Sequence, residues 1–434
     1  MKTNNYLKLL FAIPLISIIS GCSNNEKGMK ITELAPYLFE VETYEKLDYD
    51  YADKFYASEN DNWSGGGCSA ITKMIEGDRR IIGRNMDLNI SENCAYVIRT
   101  NAGKYQTIGL QYTFRDVSPK YADVKANGIS SKWSKLLPFY CDDIMNNEGF
   151  HIEINMRHGE YAAQGHDLFA VESTNPKGTR RVHMFELPRY IAENCKTVAE
   201  AKEYVNTLDI YSKNHYWNYC FIMADATGAA SLLEFSSNPI NDEVIHWFDE
   251  DKLGTYDFSY LDEYPFFDGL EYNAIAQTNF FINREAYLFQ DTKSGFGRMQ
   301  TMQNGIEAVQ TKDDMFDLMN KVAYSNFYKN YDDCKNNNFD PRSEQLGELG
   351  LLNSAFCMNP KYEDTFKQLQ NEYVAPIQKL TREEKRAANE YWESTFTEVV
   401  DIKEKSILVR FYEDDNMKYL LTFDGMTKLE TVDV

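Results

Sequence analysis

The sequence GGGCSAITKMIEGDRRIIGRNMD occupies residues 65–87 and decides how the rest of the chain is interpreted. Two apolar runs flank a turn-forming triplet at residues 76–78, a pattern that predicts a β-hairpin. In antiparallel pairing the second strand returns beside the start of the first, so we expect Arg84 and Asp87 to lie near the thiol of Cys68. A neighbouring cation stabilises a thiolate, and a carboxylate can hold an amine that acts as a base. The hairpin is therefore the candidate catalytic element.

The spacing within this hairpin resembles that of the choloylglycine hydrolase family of N-terminal-nucleophile hydrolases, which includes bile salt hydrolases and penicillin V acylases. In that family the cysteine becomes the N-terminus of the chain and is followed by the arginine and aspartate of a Gly-Arg-Asn-Met/Leu-Asp motif. Residues 83–87 match the motif, with Arg84 sixteen and Asp87 nineteen residues after Cys68, which are the family's intervals. The alternative is a buried cysteine on a strand with a surface arginine and aspartate, the usual situation of a single cysteine.

The resemblance implies an α+β fold, the four-layer αββα sandwich of N-terminal-nucleophile hydrolases. The rest of the chain alternates predicted strands and helices, as layered helices and sheets do. The pattern predicts strands at 95–99, 105–112, 150–156 and 274–281, hairpins at 217–235 and 407–423, helices at 132–145, 197–208 and 313–324, and a polar loop at 157–183.

Residues 1–22 have the features of a bacterial lipoprotein signal peptide. Lys2 and Lys8 lie in a charged start, residues 9–19 form an apolar run too short to span a bilayer, and the sequence Ile-Ser-Gly-Cys ends at Cys22. This ending resembles a lipobox, which implies that Cys22 is lipidated and becomes the first residue of the mature chain. An ordinary signal peptide or a hydrophobic core helix is the alternative. The expected location is the bacterial cell envelope, lipid-anchored on the periplasmic side or the outer-membrane surface.

Residues 23–67 are predicted to be a tether and pro-segment, with an N-terminal extension as the alternative, and residues 68–434 the catalytic domain. The segment begins polar and then becomes rich in tyrosine, phenylalanine and acidic residues as far as Tyr56. A linker without contacts would not carry so many large apolar side chains. Part of the segment should therefore dock on the catalytic domain.

Composition limits the partners and the kinds of site. The chain of 434 residues has a net charge of −22, which argues against nucleic acid as a partner because no basic patch is available to neutralise phosphate. Six cysteines besides Cys22 and Cys68 lack the spacing of a structural zinc site. For these six, disulfides and buried free thiols both stay open. They are Cys94, Cys141, Cys195, Cys220, Cys334 and Cys357.

Three further segments resemble the site of the family. Residues 277–280 (QTNF) are similar to its Thr-Asn-x-Phe strand, which implies that Asn279 donates to the oxyanion. The segment from Ser294 to Arg298 is similar to its Ser-x-x-x-Arg sequence, which implies that Arg298 is the second arginine of the site. Asn155 lies near the position of an Asn or Tyr that gives a further oxyanion contact, at a spacing that differs by one residue. The alternatives are a strand-end cap for Asn279, a surface charge for Arg298 and a turn residue for Asn155.

An N-terminal cysteine offers a thiol and an α-amine in one residue. The amine has an ordinary pKa of about 7.7–8.0, so a small downward shift makes it a neutral base without any histidine. The predicted reaction is hydrolysis of a linear, non-peptide amide C–N bond of an N-acylated small molecule, with the Cys68 thiolate attacking the carbonyl. Asp87 would orient the amine, Arg84 would favour the thiolate, and Asn279 with Asn155 would hold the oxyanion. No cofactor or metal is required.

The scheme requires a second processing event between Gly67 and Cys68, because lipobox cleavage leaves Cys22 first and the nitrogen of Cys68 as an amide. Three glycines at 65–67 present no side-chain obstruction to such a cut. The Cys68 thiol can attack the Gly67 carbonyl and shift the acyl group from nitrogen to sulfur before hydrolysis.

Two other functions stay open from the sequence. A Cys-His cysteine protease would pair Cys68 with a histidine such as His246, which stands beside Trp247 and Phe248 in an apolar stretch. A non-catalytic, ligand-binding surface lipoprotein would share the fold and the lipid on Cys22. For the hydrolase, the expected partners are a small N-acyl amide and the membrane, without nucleic acid; self-association and the identity of the acyl group stay open.

Overall fold

The structure is a computed structural model of the chain. It describes residues 28–58, 67–101, 103–112, 119–158, 170–213, 217–236, 244–263, 270–290, 295–323, 379–388, 392–414 and 417–430. The predicted signal peptide with Cys22, and the cysteines Cys334 and Cys357, lie outside these ranges.

The described residues form a mixed α/β structure. The strands are, in chain order, β1 (Met29–Ala35), β2 (Leu38–Thr43), β3 (Gly67–Ile75), β4 (Arg79–Asn89), β5 (Ala95–Thr100), β6 (Thr107–Tyr112), β7 (Asp143–Asn146), β8 (His151–His158), β9 (Arg181–His183), β10 (Asp209–Tyr211), β11 (Trp217–Ala224), β12 (Ala230–Phe235), β13 (Ile245–Asp249), β14 (Ala276–Gln277), β15 (Trp392–Asp401), β16 (Ser406–Phe411), β17 (Met417–Thr422) and β18 (Gly425–Glu430). The helices are α1 (Tyr49–Ser58), α2 (Tyr121–Asn127), α3 (Ser131–Leu136), α4 (Leu187–Asn194), α5 (Val198–Val205), α6 (Arg284–Phe289), α7 (Phe296–Ile306), α8 (Lys312–Val322) and α9 (Arg382–Ala388).

Two large sheets contain most of the strands. One sheet has nine strands in the order β1-β2-β5-β6-β7-β8-β11-β12-β13, and the other has seven in the order β14-β3-β4-β15-β16-β17-β18. Neighbours in both sheets are antiparallel except β2 and β5, which are parallel. A separate parallel pair joins β10 to β9.

Helices flank both sheets, and the sheets meet at one charged side chain. Helix α4 contacts β7 and β8 of the nine-stranded sheet, whereas α8 contacts β4 and β15 of the seven-stranded sheet. Arg84 of β4 pairs with Asp143 of β7 and with Glu153 of β8. The candidate site therefore lies where strands of the two sheets contact each other.

The predicted hairpin is confirmed as β3 and β4. Residues 76–78 form its turn, and Gly77 and Asp78 take positive φ angles of 78° and 54°. Pairing places Cys68 opposite Met86. On β4, a Cβ at Gly83 would come within 2.6 Å of the Met319 side chain, so the glycine permits the close approach of α8.

The segment before the hairpin is part of the nine-stranded sheet. Strand β2 pairs with β5 over six residues, and Leu38 and Val41 are fully buried. From α1, the Tyr56 ring stacks on His183 with centroids 5.5 Å apart, and Asp53 lies 2.6 Å from Arg180. The predicted docking of this segment is thus observed for residues 29–58.

Most of the other predicted elements are also observed. The hairpin at 217–235 is β11 and β12, the C-terminal hairpin includes β16 and β17, and the three strands predicted between 95 and 156 are β5, β6 and β8. Helix α5 begins at the predicted cap, where the Thr197 side chain accepts from the Glu200 N–H, and it ends at Val205 rather than Leu208. Helix α8 matches the prediction at 313–324 as far as Val322. Residues 159–169 of the predicted loop lie outside the described ranges.

Two predictions of secondary structure are wrong, and one strand near the site was missed. The helix expected at 132–145 ends at Leu136, because Pro138 cannot continue it, and residues 143–146 form β7 between β6 and β8. The strand expected at 274–281 pairs only at residues 276–277, because the Gln277 side chain bonds the carbonyls of Thr278 and Phe280 and turns the chain away. Strand β15 was not predicted at all.

In the described part of the chain, no helix has both the length and the apolar character that crossing a membrane requires.

Candidate active site

The β3–β4 pairing brings Arg84 to the thiol of Cys68. Cys68 is 1% exposed, and its Sγ lies 3.7 Å from Arg84 Nη2 and 3.3 Å from Met86 Sδ. The predicted neighbourhood of thiol and guanidinium is therefore present. Burial raises the pKa of the Cys68 thiol to about 12, although the Arg84 charge acts in the opposite direction. The thiol is thus protonated at neutral pH while the chain is intact.

Arg84 is itself held by the nine-stranded sheet. Its Nε lies 2.8 Å from Glu153 Oε2, its Nη1 pairs with Asp143 Oδ2, and its Nη2 donates to the carbonyl of Ile154. Burial disfavours the charge, but the neighbouring carboxylates outweigh this effect and raise the pKa of Arg84. Arg84 therefore remains a cation with a fixed direction towards Cys68.

A second guanidinium group binds the backbone side of Cys68. Arg298 Nη1 donates to the Cys68 carbonyl at 3.0 Å and to Asp87 Oδ2 at 2.9 Å, while Nη2 donates to Asn279 Oδ1 at 2.6 Å. The Cys68 N–H donates to the same Asn279 oxygen at 3.3 Å. Asn279 thus contacts the nitrogen at which an α-amine would form, and Arg298, paired with Asp87, contacts the carbonyl of the same residue.

A glycine allows Arg298 to reach this position. Gly295 precedes α7 with a φ of 80°, and a Cβ there would lie 2.8 Å from Arg298 Nη2 and 2.9 Å from Thr278 Cβ. A larger residue would collide with both neighbours and would adopt a strained backbone. The Gly295 turn therefore lets the start of α7 approach the chain that carries Asn279.

The two candidate oxyanion donors have different surroundings. The Asn279 amide nitrogen donates to the Met156 carbonyl, so an oxyanion contact requires its second hydrogen or a rotation of the amide. Asn155, on β8, donates to Glu153 Oε1 at 3.2 Å, and its Oδ1 has no hydrogen-bond partner within the described ranges. Arg84, Asn279 and Arg298 contact Cys68 directly. Asp87 is linked to it through Arg298, and Asn155 through Glu153 and Arg84.

Sequence reasoning missed the carboxyl groups behind Arg84. Glu153 shares the inward face of β8 with Asn155, and Glu398 comes from the unpredicted β15. Burial raises the pKa of Glu153 to about 8 and raises that of Asp143, whereas it lowers the pKa of His151 to about 3. A signal was available, because His-Ile-Glu-Ile-Asn-Met-Arg at 151–157 alternates polar and apolar residues on a predicted strand.

One group of described residues has donor atoms close enough to be considered for a metal. Asp143, His151 and Glu398 each place a donor within 4.8 Å of the others. Arg84 already pairs with Asp143, and a second cation beside this guanidinium would be repelled. We therefore interpret the group as the carboxyl surroundings of Arg84 and assign no metal to it.

The histidine considered for a Cys-His pair lies elsewhere. His246 belongs to β13, at the edge of the nine-stranded sheet, and its Nε2 lies 2.9 Å from Ser236 Oγ. Cys68 belongs to the other large sheet. The five cysteines within the described ranges, Cys68, Cys94, Cys141, Cys195 and Cys220, are free thiols.

Comparison with known proteins places the site in context. Residues 68–278 match the model of a family described as linear amide C-N hydrolases, choloylglycine hydrolase family. Among solved structures, two variants of conjugated bile acid hydrolase from Clostridium perfringens are each 14% identical over 84% of this chain and 97% of theirs, with TM-scores of 0.42 and 0.43. Penicillin V acylase from Agrobacterium tumefaciens is 12% identical over 84% of this chain and 91% of its own, with a TM-score of 0.34. No curated protein matches the chain.

Proposed function

Because this chain belongs, through residues 68–278, to the choloylglycine hydrolase family of linear amide C-N hydrolases, we propose that it hydrolyses a non-peptide amide of an N-acylated small molecule with Cys68 as the nucleophile. The observation that carries the proposal is the approach of two guanidinium groups to one cysteine. Arg84 lies at the thiol, Arg298 with Asp87 lies at the carbonyl of the same residue, and Asn279 accepts from its N–H.

The intact chain corresponds to a precursor in this proposal. The Cys68 nitrogen is an amide that donates to Asn279, and the buried thiol is neutral. Hydrolysis of the Gly67–Cys68 bond would turn that nitrogen into an α-amine within the hydrogen-bonded set of Asp87, Asn279 and Arg298. Two nearby guanidinium groups disfavour the protonated amine, so its pKa would fall and the neutral base would be available at pH 7.

Each step of the reaction then has an assigned group. The amine takes the thiol proton, and the thiolate adds to the substrate carbonyl to form a tetrahedral oxyanion. Asn279, with Asn155 as a second donor, stabilises that oxyanion. The C–N bond breaks as the amine nitrogen returns the proton to the leaving group, which leaves a thioester on Cys68. Water, deprotonated by the same amine, hydrolyses the thioester and releases the acid.

The proposal includes the architecture and the location expected from the sequence. Contacts of α4 with the nine-stranded sheet and of α8 with the seven-stranded sheet support a four-layer αββα arrangement. A lipid on Cys22 would anchor the protein in the cell envelope, and palmitate labelling that disappears in Cys22→Ala would test this anchor.

The substrate is best found with a panel of amides. Bile acid conjugates and penicillin V represent the compounds named for the two matched enzymes, and N-acyl homoserine lactones and N-acylethanolamines extend the range of acyl chains. We expect release of free amine from at least one class, and N-terminal sequencing of the active protein should read Cys-Ser-Ala-Ile-Thr. Full activity with an intact Gly67–Cys68 bond would overturn the proposed base and direct attention to a side-chain base.

A further inference from the structure

The interior behind Arg84 contains more carboxyl groups than cations. Asp143 and Glu153 pair with its guanidinium group, and a carboxyl oxygen of Glu398 lies within 4.8 Å of one of Asp143. All four side chains, together with His151, are fully buried. If every carboxyl were ionised beside one arginine and a neutral histidine, the cluster would carry a charge of about −2 away from water, which is strongly unfavourable.

The proximity of Glu398 to Asp143 locates one of the protons that must be present. Within the described ranges neither oxygen of Glu398 receives a hydrogen bond from an N–H or O–H donor, and neither does Asp143 Oδ1. Ionised carboxylates are acceptors only and repel each other, so two buried carboxyl groups this close favour a state in which one of them is protonated. His151 Nε2 lies 3.6 Å from Asp143 Oδ1, which is too long for a hydrogen bond.

We propose that Glu398 is a positioning residue for the nucleophile. Glu398 acts as a neutral acid that donates to Asp143, and Asp143 remains the anion that holds Arg84 against the Cys68 thiol. Glu153 is the second carboxyl group that remains protonated near neutral pH. This role rests on the proposed function, because Arg84 matters to catalysis only if Cys68 is the nucleophile.

Titratable groups on or beside four strands face Arg84, and their protonation determines how strongly Arg84 stabilises the Cys68 thiolate. They are Cys68 of β3, Asp142 and Asp143 at the start of β7, His151 and Glu153 of β8, and Glu398 of β15. Burial raises the pKa of Asp142 to about 7 and that of Glu398 well above its usual range. As pH rises past about 8, ionisation of Glu153 adds a second negative charge beside Arg84 and weakens its attraction for the thiolate.

Two substitutions at one position separate this role from simple packing. Glu398→Gln keeps a neutral donor towards Asp143, so we expect kcat and the pH profile of kcat/KM to stay close to those of the wild type. Glu398→Leu removes the donor, so Asp143 then takes up the proton and releases Arg84. We expect kcat to fall by about 10-fold with an altered pH profile, since a change of one unit in the pKa of the thiol changes the thiolate fraction tenfold. Equal losses in both variants, or no loss in either, would overturn the proposal.

A third substitution tests the alkaline side of the same profile. Glu153→Gln cannot ionise, so the loss of activity above pH 8 should be displaced to higher pH. An unchanged alkaline limb would show that Glu153 is not the second proton carrier and would overturn that part of the proposal.

A measurement without catalysis distinguishes failure of this inference from failure of the proposed function. Because the pKa of Glu153 is raised from 4.5 to about 8, the folded chain binds more protons than the unfolded chain between these values, and stability falls as pH rises through that window. In the Cys68→Ser chain, the denaturant concentration at the midpoint of unfolding should be lower at pH 8 than at pH 5. The difference between the two pH values should be smaller when Glu153→Gln is added. An equal dependence of stability on pH with and without Glu153→Gln would contradict the protonated cluster. A stoichiometric divalent metal in the purified protein would also contradict it.

Discussion

Arg84 and Arg298 reach the same cysteine from regions that are built in different ways. The region around Arg84 is made of strands from two sheets, is fully buried, and contains several carboxyl groups. The region around Arg298 is made by the turn at Gly295 and the chain after β14, and Arg298 there meets one carboxylate, Asp87. In our proposal, protonation of buried acids controls the thiol of Cys68, whereas hydrogen-bond geometry controls its backbone nitrogen.

Cys68→Ser should have the largest effect, because it removes the sulfur atom that faces Arg84 and that is proposed to attack the substrate. We expect amide hydrolysis to fall by at least about 10³-fold, as for other enzymes that lose a covalent nucleophile. Amine release by the purified protein is the measurement, with circular dichroism to show that it is folded. Cys94→Ser, Cys141→Ser and Cys220→Ser are matched controls that should retain activity. Retained hydrolysis in a folded Cys68→Ser protein would exclude Cys68 as the nucleophile.

Asp87→Asn should disable the Arg298 region while leaving the Arg84 region intact. The substitution removes the charge that pairs with Arg298 and that would orient the α-amine, so we expect kcat to fall by roughly 10²- to 10³-fold, within the range of general acid–base effects. Mass spectrometry should record the fraction cut at Gly67, because a failure to process would also abolish activity. A fully processed Asp87→Asn enzyme with normal kcat would show that Asp87 does not act on the amine.

Asn279→Ala should remove one oxyanion donor. We expect a loss of about 10²-fold in kcat with little change in KM, which is typical of an oxyanion-hole donor. If KM rises and kcat stays constant, Asn279 binds the substrate rather than the transition state.

Asn155→Ala should have a smaller effect, on the order of 10-fold in kcat, because the amide of Asn155 bonds Glu153 and contacts the site through Arg84. A loss as large as that of Asn279→Ala would show that the two asparagines contribute equally to the oxyanion, and no loss would exclude Asn155 as a donor.

Chelators should have the smallest effect, since protein groups supply the base, the nucleophile and the oxyanion donors. We expect hydrolysis to survive prolonged incubation with EDTA and phenanthroline. Complete loss that zinc restores would mean that Asp143, His151 and Glu398 hold a catalytic ion, and the interpretation of the Arg84 region would be wrong.

The two regions also differ in how far the sequence could predict them. The Arg84 side of the hairpin follows from local pairing, since the interval between Cys68 and Arg84 and a turn at 76–78 fix the two strands against each other. Its carboxyl neighbours could not be found in the same way, because Glu398 lies 314 residues beyond Arg84 and reaches it through a strand pairing with no local signal. Arg298 and Asn279 were recognised by resemblance alone.

The wrong helix at 132–145 shows a related limit. Its apolar spacing suits a helix, but Pro138 interrupts it, and pairing with β6 and β8 makes residues 143–146 a strand. Tertiary pairing therefore decided the structure at the place where Asp143 enters the site.

Strand β2 lies between β1 and β5 in the nine-stranded sheet, yet it precedes the proposed cut at Gly67. After such a cut the sheet would be held together by two polypeptides, and refolding would become a bimolecular reaction that depends on protein concentration. Before the cut, residues 29–58 would fold together with the rest of the sheet as one chain. After the cut and dilution, the separated pieces would no longer refold in this way. The lifetime of the processed protein would then depend on how slowly its two pieces dissociate, so its stability would be kinetic rather than thermodynamic.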